Sequence, residues 1–116
     1  MTVAVRHAPI INDATLEDAF ACGLDRICPV ITNGADIPGT SLPGCSEEFR
    51  RHFRSADCII SKGMGNFECL SEVRAPLFFL FIVKCTTVLA HLTHRFPEAG
   101  LRIGSPLLLR GQQGWQ

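Results

Sequence analysis

The sequence predicts an α/β fold: a three-layer sandwich with a mostly parallel sheet, of the doubly wound kind. Three observations predict it. Short β-rich apolar runs alternate along the chain with segments that carry helix-start signals. Residues 77–83 (Leu-Phe-Phe-Leu-Phe-Ile-Val) are apolar at every position, as in a strand covered on both faces. Strands separated by helices need crossover connections, and crossovers pair strands in parallel.

Residues 2–6 make the first β-rich run. Thr15, with Asp18 three places later, has the form of a capping box, so a short helix follows to about Cys22, with Gly23 suited to its C-terminal cap. Residues 27–32 are the second strand candidate, running into the turn signals Asn33-Gly34 and Asp36-Ile37-Pro38-Gly39. Residues 33–45 form a loop rich in Gly, Pro, Ser and Thr, long for a plain connection and of the kind that is often functional. Ser46 can cap the next helix, with Glu47 and Glu48 in its first turn, Phe49 and Phe53 on one face, and Arg50, Arg51 and Arg54 facing solvent. Residues 56–61 are the third strand, 77–83 the fourth, 85–94 a helix and 105–109 the last strand. No repeat, low-complexity tract or linker divides the chain, so residues 1–116 are expected to form one domain.

Composition narrows the function. Apolar residues make up 47% and charged residues 19% of 116 residues, which is globular composition with material for one core. Eleven basic residues balance eleven acidic ones and form no basic stripe, which argues against nucleic acid as a partner. The longest apolar run, residues 76–83, stops at Lys84, far short of the roughly 20 residues that span a bilayer, so no membrane partner is expected. Residues 1–20 lack the flank and apolar stretch of a secretory signal, and the expected location is cytoplasmic. Cys22, Cys28, Cys45, Cys58, Cys69 and Cys85 include no Cys-x-x-Cys pair. They are read as reduced thiols, with Cys58 and Cys85, beside apolar segments, behaving as small hydrophobes. The same spacings argue against a cysteine-rich metal or redox module. His52, His91 and His94 have no ligand spacing with a carboxylate or cysteine, although His91 and His94 lie three apart on a predicted helix. Trp115 is read as a partly buried anchor or a disordered tail residue.

Three constellations could carry chemistry. Asp13, in Pro9-Ile10-Ile11-Asn12-Asp13-Ala14-Thr15, falls where a strand gives way to a helix, and a carboxylate there can hold a hard cation through oxygen. By spacing alone, an ordinary Asx-turn or helix cap is the commoner role. Ser61-Lys62-Gly63-Met64-Gly65-Asn66 directly follows the third strand, and its glycines and lysine can approach an anion. It lacks the Gly-Lys-Ser/Thr ending of a P-loop, and a plain glycine-rich strand-to-helix turn remains open. Lys84 ends the apolar strand, where it either points into a crevice as a phosphate ligand or simply reaches the surface.

Taken together, the segments Ile10-Ile11-Asn12-Asp13-Ala14-Thr15-Leu16-Glu17-Asp18-Ala19, Ile59-Ile60-Ser61-Lys62-Gly63-Met64-Gly65-Asn66-Phe67-Glu68 and Phe79-Leu80-Phe81-Ile82-Val83-Lys84-Cys85 resemble the damage-control phosphatases, formerly domain of unknown function 89, and most closely their prokaryotic stand-alone branch. The resemblance covers about residues 2 to 95 and fades over 96–116. It implies a metal-dependent phosphatase acting on phosphometabolites such as sugar phosphates, with a divalent cation (Mg, Mn, Co or Ni) as cofactor. It implies Asp13 as a metal ligand and Lys62 and Asn66 as catalytic residues. Lys84, Lys62, Gly63, Gly65 and Asn12 become the ligands of the substrate phosphate, and all these residues are expected to share one crevice. The sequence departs from the family pattern at Met64, where Gln is usual, and at His7, where Gly is usual. The family's Asp-Asn metal pair lies upstream of the Asp13 segment, and no such pair stands between Met1 and Asp13. The expectation is therefore the C-terminal part of the fold, with an impaired site. The alternative is a non-catalytic remnant, or one half of a two-chain protein, that keeps residual phosphate or metal binding. A sheet edge left uncovered in this way also invites self-association.

Overall fold

The computed structural model describes residues 1–112, so the reading of Trp115 lies outside the described residues. Contacts divide the chain into two compact units, Met1–Asp57 and Cys58–Gln116.

In the first unit, β1 (Val3–Val5) and β2 (Val30–Thr32) pair in parallel, with Val3 opposite Val30 and Val5 opposite Thr32. The crossover holds α1 (Leu16–Ala21) and a 3-10 turn, Leu24–Arg26. The predicted capping box is present: the Asp18 carboxylate accepts from the Thr15 backbone N–H at 2.9 Å and from its hydroxyl at 3.1 Å. Gly23, at φ +78°, follows the helix as expected. The second strand is shorter than the predicted 27–32. The N–H groups of Ile27 and Cys28 both donate to Leu24 O, which commits them to the turn, and Pro29 has no N–H to offer a ladder. The 33–45 loop closes onto the next helix through Ser46 N–H to Asn33 O at 3.0 Å. A Cβ at Gly34 would lie 2.6 Å from Ser46 Cβ, so only glycine fits there. Helix α2 (Glu47–Ser55) starts as predicted, with Ser46 Oγ accepting from Phe49 N–H at 3.1 Å. Phe53 is buried, with its ring 6.1 Å from that of Phe49. Arg51 and Arg54 are exposed, whereas Arg50 is half-buried.

The second unit is a three-stranded sheet in the order β3 (Ile59–Lys62), β4 (Leu77–Ile82), β5 (Pro106–Arg110). Strands β3 and β4 are parallel and joined through α3 (Met64–Leu70), a helix that the sequence shows only as a glycine-rich turn. The Phe-rich run is the central strand, as predicted. Strand β5 departs from parallel pairing and runs antiparallel to β4. After α4 (Thr86–Arg95) the chain returns to the end of β4 that it left: Val83 N–H donates to Ser105 O at 3.0 Å, and Gly104 N–H to Val83 O at 2.8 Å. Gly104, at φ +93°, makes the reversal.

Burial of β4 on both faces is corrected. Leu77, Phe79 and Phe81 are buried, while Leu80 is 41% and Ile82 49% exposed. The buried face lies under α3, whose Phe67 ring stacks on Phe81 at 4.7 Å and meets Phe79 edge-on at 5.2 Å. Helix α4 buries Val88 and Leu92, and its His91 ring lies 6.4 Å from that of Phe67. The cysteine reading also changes. Cys58 is exposed, and Cys85 caps α4 by accepting from Val88 N–H at 3.4 Å; the buried thiols are Cys28 and Cys45. The architecture is mixed α/β, with parallel strands and helices between them. Among the described residues, no helix is long and apolar enough to cross a membrane.

Candidate functional site

In the second unit, two parallel strands end side by side, and Lys62, Gly63, Gly65, Asn66 and Lys84 of the predicted residues belong to that carboxyl edge. Lys62 is the last residue of β3 and stands opposite Leu80 of β4, and Lys84 follows two residues after the end of β4. Both lysines are exposed. Between them lies the start of α3. Gly63 donates its N–H to Leu80 O at 3.0 Å and adopts φ +102°, ψ +144°. That conformation is accessible essentially to glycine alone. A Cβ at Gly63 would meet nothing within 4 Å, so backbone conformation, not space, requires glycine here. Asn66 Nδ2 donates to Lys62 O at 2.7 Å and braces the turn. The Lys84 N–H points to Met64 Sδ at 3.4 Å, tying the start of α3 to the segment after β4. Gly65 sits in the first turn of α3. Lys62, Gly63, Gly65, Asn66 and Lys84 are thus neighbours on one edge, the crevice side of an open parallel sheet.

In the first unit, Asn12 and Asp13 lie in the exposed turn after β1, closed by Asp13 N–H to Ile10 O at 2.9 Å. Ile11 in the same turn is 96% exposed and has φ +50°, a strained choice for a β-branched residue. Asp13 Oδ2 is engaged by Arg6 Nε at 2.9 Å. Arg6 is buried and also donates Nη1 to Gly39 O. This arginine was not among the residues singled out from sequence. Its signal, a charge at the end of a strand, is weak, because its partners lie 7 and 33 residues away. His7 was likewise assigned no role; its Nδ1 is 3.2 Å from Thr32 Oγ1 and its Nε2 4.0 Å from Asp36 Oδ1.

Asp13 alone does not make a metal centre. One of its oxygens is held by a guanidinium, and among the described residues no group of three or more His, Cys, Asp or Glu could hold a cation. His91 and His94 both lie on α4 and are exposed. An open hollow of about 400 Å³ is lined by Phe96, Pro97, Glu98 and Ala99 and contains none of the residues discussed above.

Fold and edge together define a mixed α/β protein that presents a lysine-bearing glycine turn at the carboxyl end of a parallel strand pair. Comparison with known proteins gives the family. The model of the damage-control phosphatase ARMT1-like domain matches residues 1–96, and the chain belongs to that family. The Methanocaldococcus jannaschii protein MJ0202 is 42% identical over 114 residues, covering 95% of this chain and 35% of that protein. Damage-control phosphatase PH1575 of Pyrococcus horikoshii is 46% identical over 100 residues, covering 85% and 34%. The crystal structure of that DUF89 family protein superposes with a TM-score of 0.84 at 39% identity, over 96% of this chain and 37% of the other. The chain therefore spans about a third of the length of the curated relatives it matches.

Proposed function

We propose that this chain supplies the phosphate-binding edge of a phosphatase acting on phosphorylated metabolites such as sugar phosphates, as one domain and in the cytoplasm. The observation that carries the reading is the placement of Lys62 and Lys84 at the carboxyl ends of adjacent parallel strands, on either side of the Gly63 turn. Two ammonium groups there act as point charges on phosphoryl oxygens, and phosphoryl transfer is largely positioning and charge neutralisation. In this reading Lys62 and Asn66 are catalytic, and Lys84, Lys62, Gly63 and Gly65 bind substrate phosphate. The family names of the relatives support it. The proposed cofactor is a divalent cation (Mg, Mn, Co or Ni), which would add further positive charge. Asp13 would give such a cation a single carboxylate, one oxygen of which already accepts a hydrogen bond from Arg6.

That limit favours a second reading, in which these 116 residues bind phosphate with little turnover. Losing several groups that act as a unit removes most of a catalytic effect. The test is hydrolysis of p-nitrophenyl phosphate and a panel of sugar phosphates with Mg²⁺, Mn²⁺, Co²⁺ or Ni²⁺. The expected result is turnover near background. Strong turnover abolished by Asp13→Ala would show that the site is complete and overturn the second reading. Strong turnover unaffected by Lys62→Ala and Lys84→Ala would overturn the first.

A further inference from the structure

In its sheet β5 is an outer strand, with β4 as its neighbour on one side. The ladder decides which of its backbone groups are left over. Val83 N–H donates to Ser105 O at 3.0 Å, and Gly111 N–H donates to Leu77 O at 2.8 Å. Both ends of the ladder therefore bond through odd-numbered residues of β5. Antiparallel ladders bond through every second residue, so Leu107 and Leu109, opposite Phe81 and Phe79, complete the set. The N–H and C=O groups of Leu108 and Arg110, with the C=O of Pro106, point away from β4 along the outer edge. Pro106, Leu108 and Arg110 are exposed, Leu108 by 69%.

That edge is complementary to itself. A strand set antiparallel to β5 about a two-fold axis through Leu108 puts Leu108 opposite Leu108 and Pro106 opposite Arg110. Each Leu108 N–H then donates to the Leu108 carbonyl of the other strand, and each Arg110 N–H to the other Pro106 carbonyl. The N–H that proline lacks leaves only the Arg110 carbonyl, at the end of the ladder, to water. The two leucines make an apolar cross-strand pair. The two arginines stand about 14 Å apart along the strands, beyond a Debye length at physiological salt. Sliding the register by two residues is disfavoured in either direction. One way sets Pro106 against Leu108 and removes a central bond; the other brings the arginines to about 7 Å. The formal net charge at pH 7 is zero, so no bulk repulsion opposes the approach of two copies.

We propose that the outer edge of β5 seats a second copy of this chain, with the two β5 strands paired antiparallel about Leu108 and the two sheets joined into one. Such a contact is isologous, as in most dimers. A strand of 5 residues per copy falls below the roughly 1,000 Å² of a stable interface, so the association is reversible and concentration-dependent. The inference stands on the ladder and uses no residue of the phosphate edge.

The test is sedimentation equilibrium of the 116-residue chain from micromolar to millimolar concentration, with amide exchange read at both ends of that range. The expected result is a monomer–dimer equilibrium in which the amides of Leu108 and Arg110 gain protection as the dimer fills. Mixed-label NOEs should join Leu107 Hα to Leu109 Hα of the other copy, the close pair of that register. Leu108→Pro should abolish the dimer, because it removes the central donor. Leu108→Lys keeps the backbone bonds but sets like charges opposite, and should weaken the dimer about fivefold at low salt. Unchanged β4 amide shifts would show each variant to be folded. A chain monomeric at millimolar concentration, a dimer in which the Leu108 and Arg110 amides gain no protection, or one indifferent to both substitutions would overturn the proposal.

Discussion

Gly63 shows how one residue prepares the candidate site. Its φ of +102° lets the chain leave β3 and enter α3 within a single residue, which sets the Lys62 carbonyl where Asn66 holds it. Gly63→Ala should destabilise the chain by about 1–3 kcal/mol, read as a lower urea midpoint, since an L-residue is strained there whatever the space. An unchanged midpoint would mean that the turn relaxes and that its geometry is not required. The motif around Gly63 was legible because it is local: a lysine, two glycines and an asparagine following an apolar run. The Arg6 bonds to Asp13 and Gly39 were not, because they depend on folding that brings residue 39 back to residue 6. Ile11 is opaque for the opposite reason, since nothing in its type announces a left-handed backbone.

Among the elements, helix starts were the most legible, because a cap is a contact between residues three apart. Ser46 and Thr15 both lead the helices expected of them. Helix α3 showed in the sequence only as the far side of a strand-to-helix turn, because it is short and opens on glycines, which weaken helix propensity, and it exists by packing Phe67 on Phe79 and Phe81. Helix α2 offers a test of its charges. Glu47 binds Arg54 at 2.7 Å and Arg50 at 3.1 Å, and the Arg54 hydrogen bond leads in holding its carboxyl below the usual carboxylate range. A carboxyl depressed in the folded state stabilises above its unfolded value and loses that contribution as pH falls through the folded one. The acid limb of the stability–pH curve should therefore be shallower in Glu47→Gln than in the parent. The difference should be small and shrink in high salt, because the pair is exposed. Identical acid limbs at low salt would show that the pair contributes nothing.

For the whole molecule, the alternation of strands and helices was legible, and so was the central place of β4. Which faces are covered was not, because an apolar run states only that a strand tolerates burial. Leu80 and Ile82 belong to that run and remain half-exposed. Amide exchange follows the hydrogen-bond ladder, not the side-chain faces, so the amides of β4, bonded on both sides, should exchange slowest in the second unit despite the bare face. Exchange in β4 as fast as in β5 would contradict the assigned strand order. The central claim is that the carboxyl edge of β3 and β4 binds phosphate, and it is tested most directly by titrating inorganic phosphate into ¹⁵N-labelled chain without added metal. The account predicts saturable amide shifts confined to residues 62–66 and 84–86, weakened about tenfold in Lys62→Ala and in Lys84→Ala, with the fold unchanged, as expected for losing one charge-assisted contact. Shifts centred elsewhere, or affinity indifferent to both lysines, would contradict it.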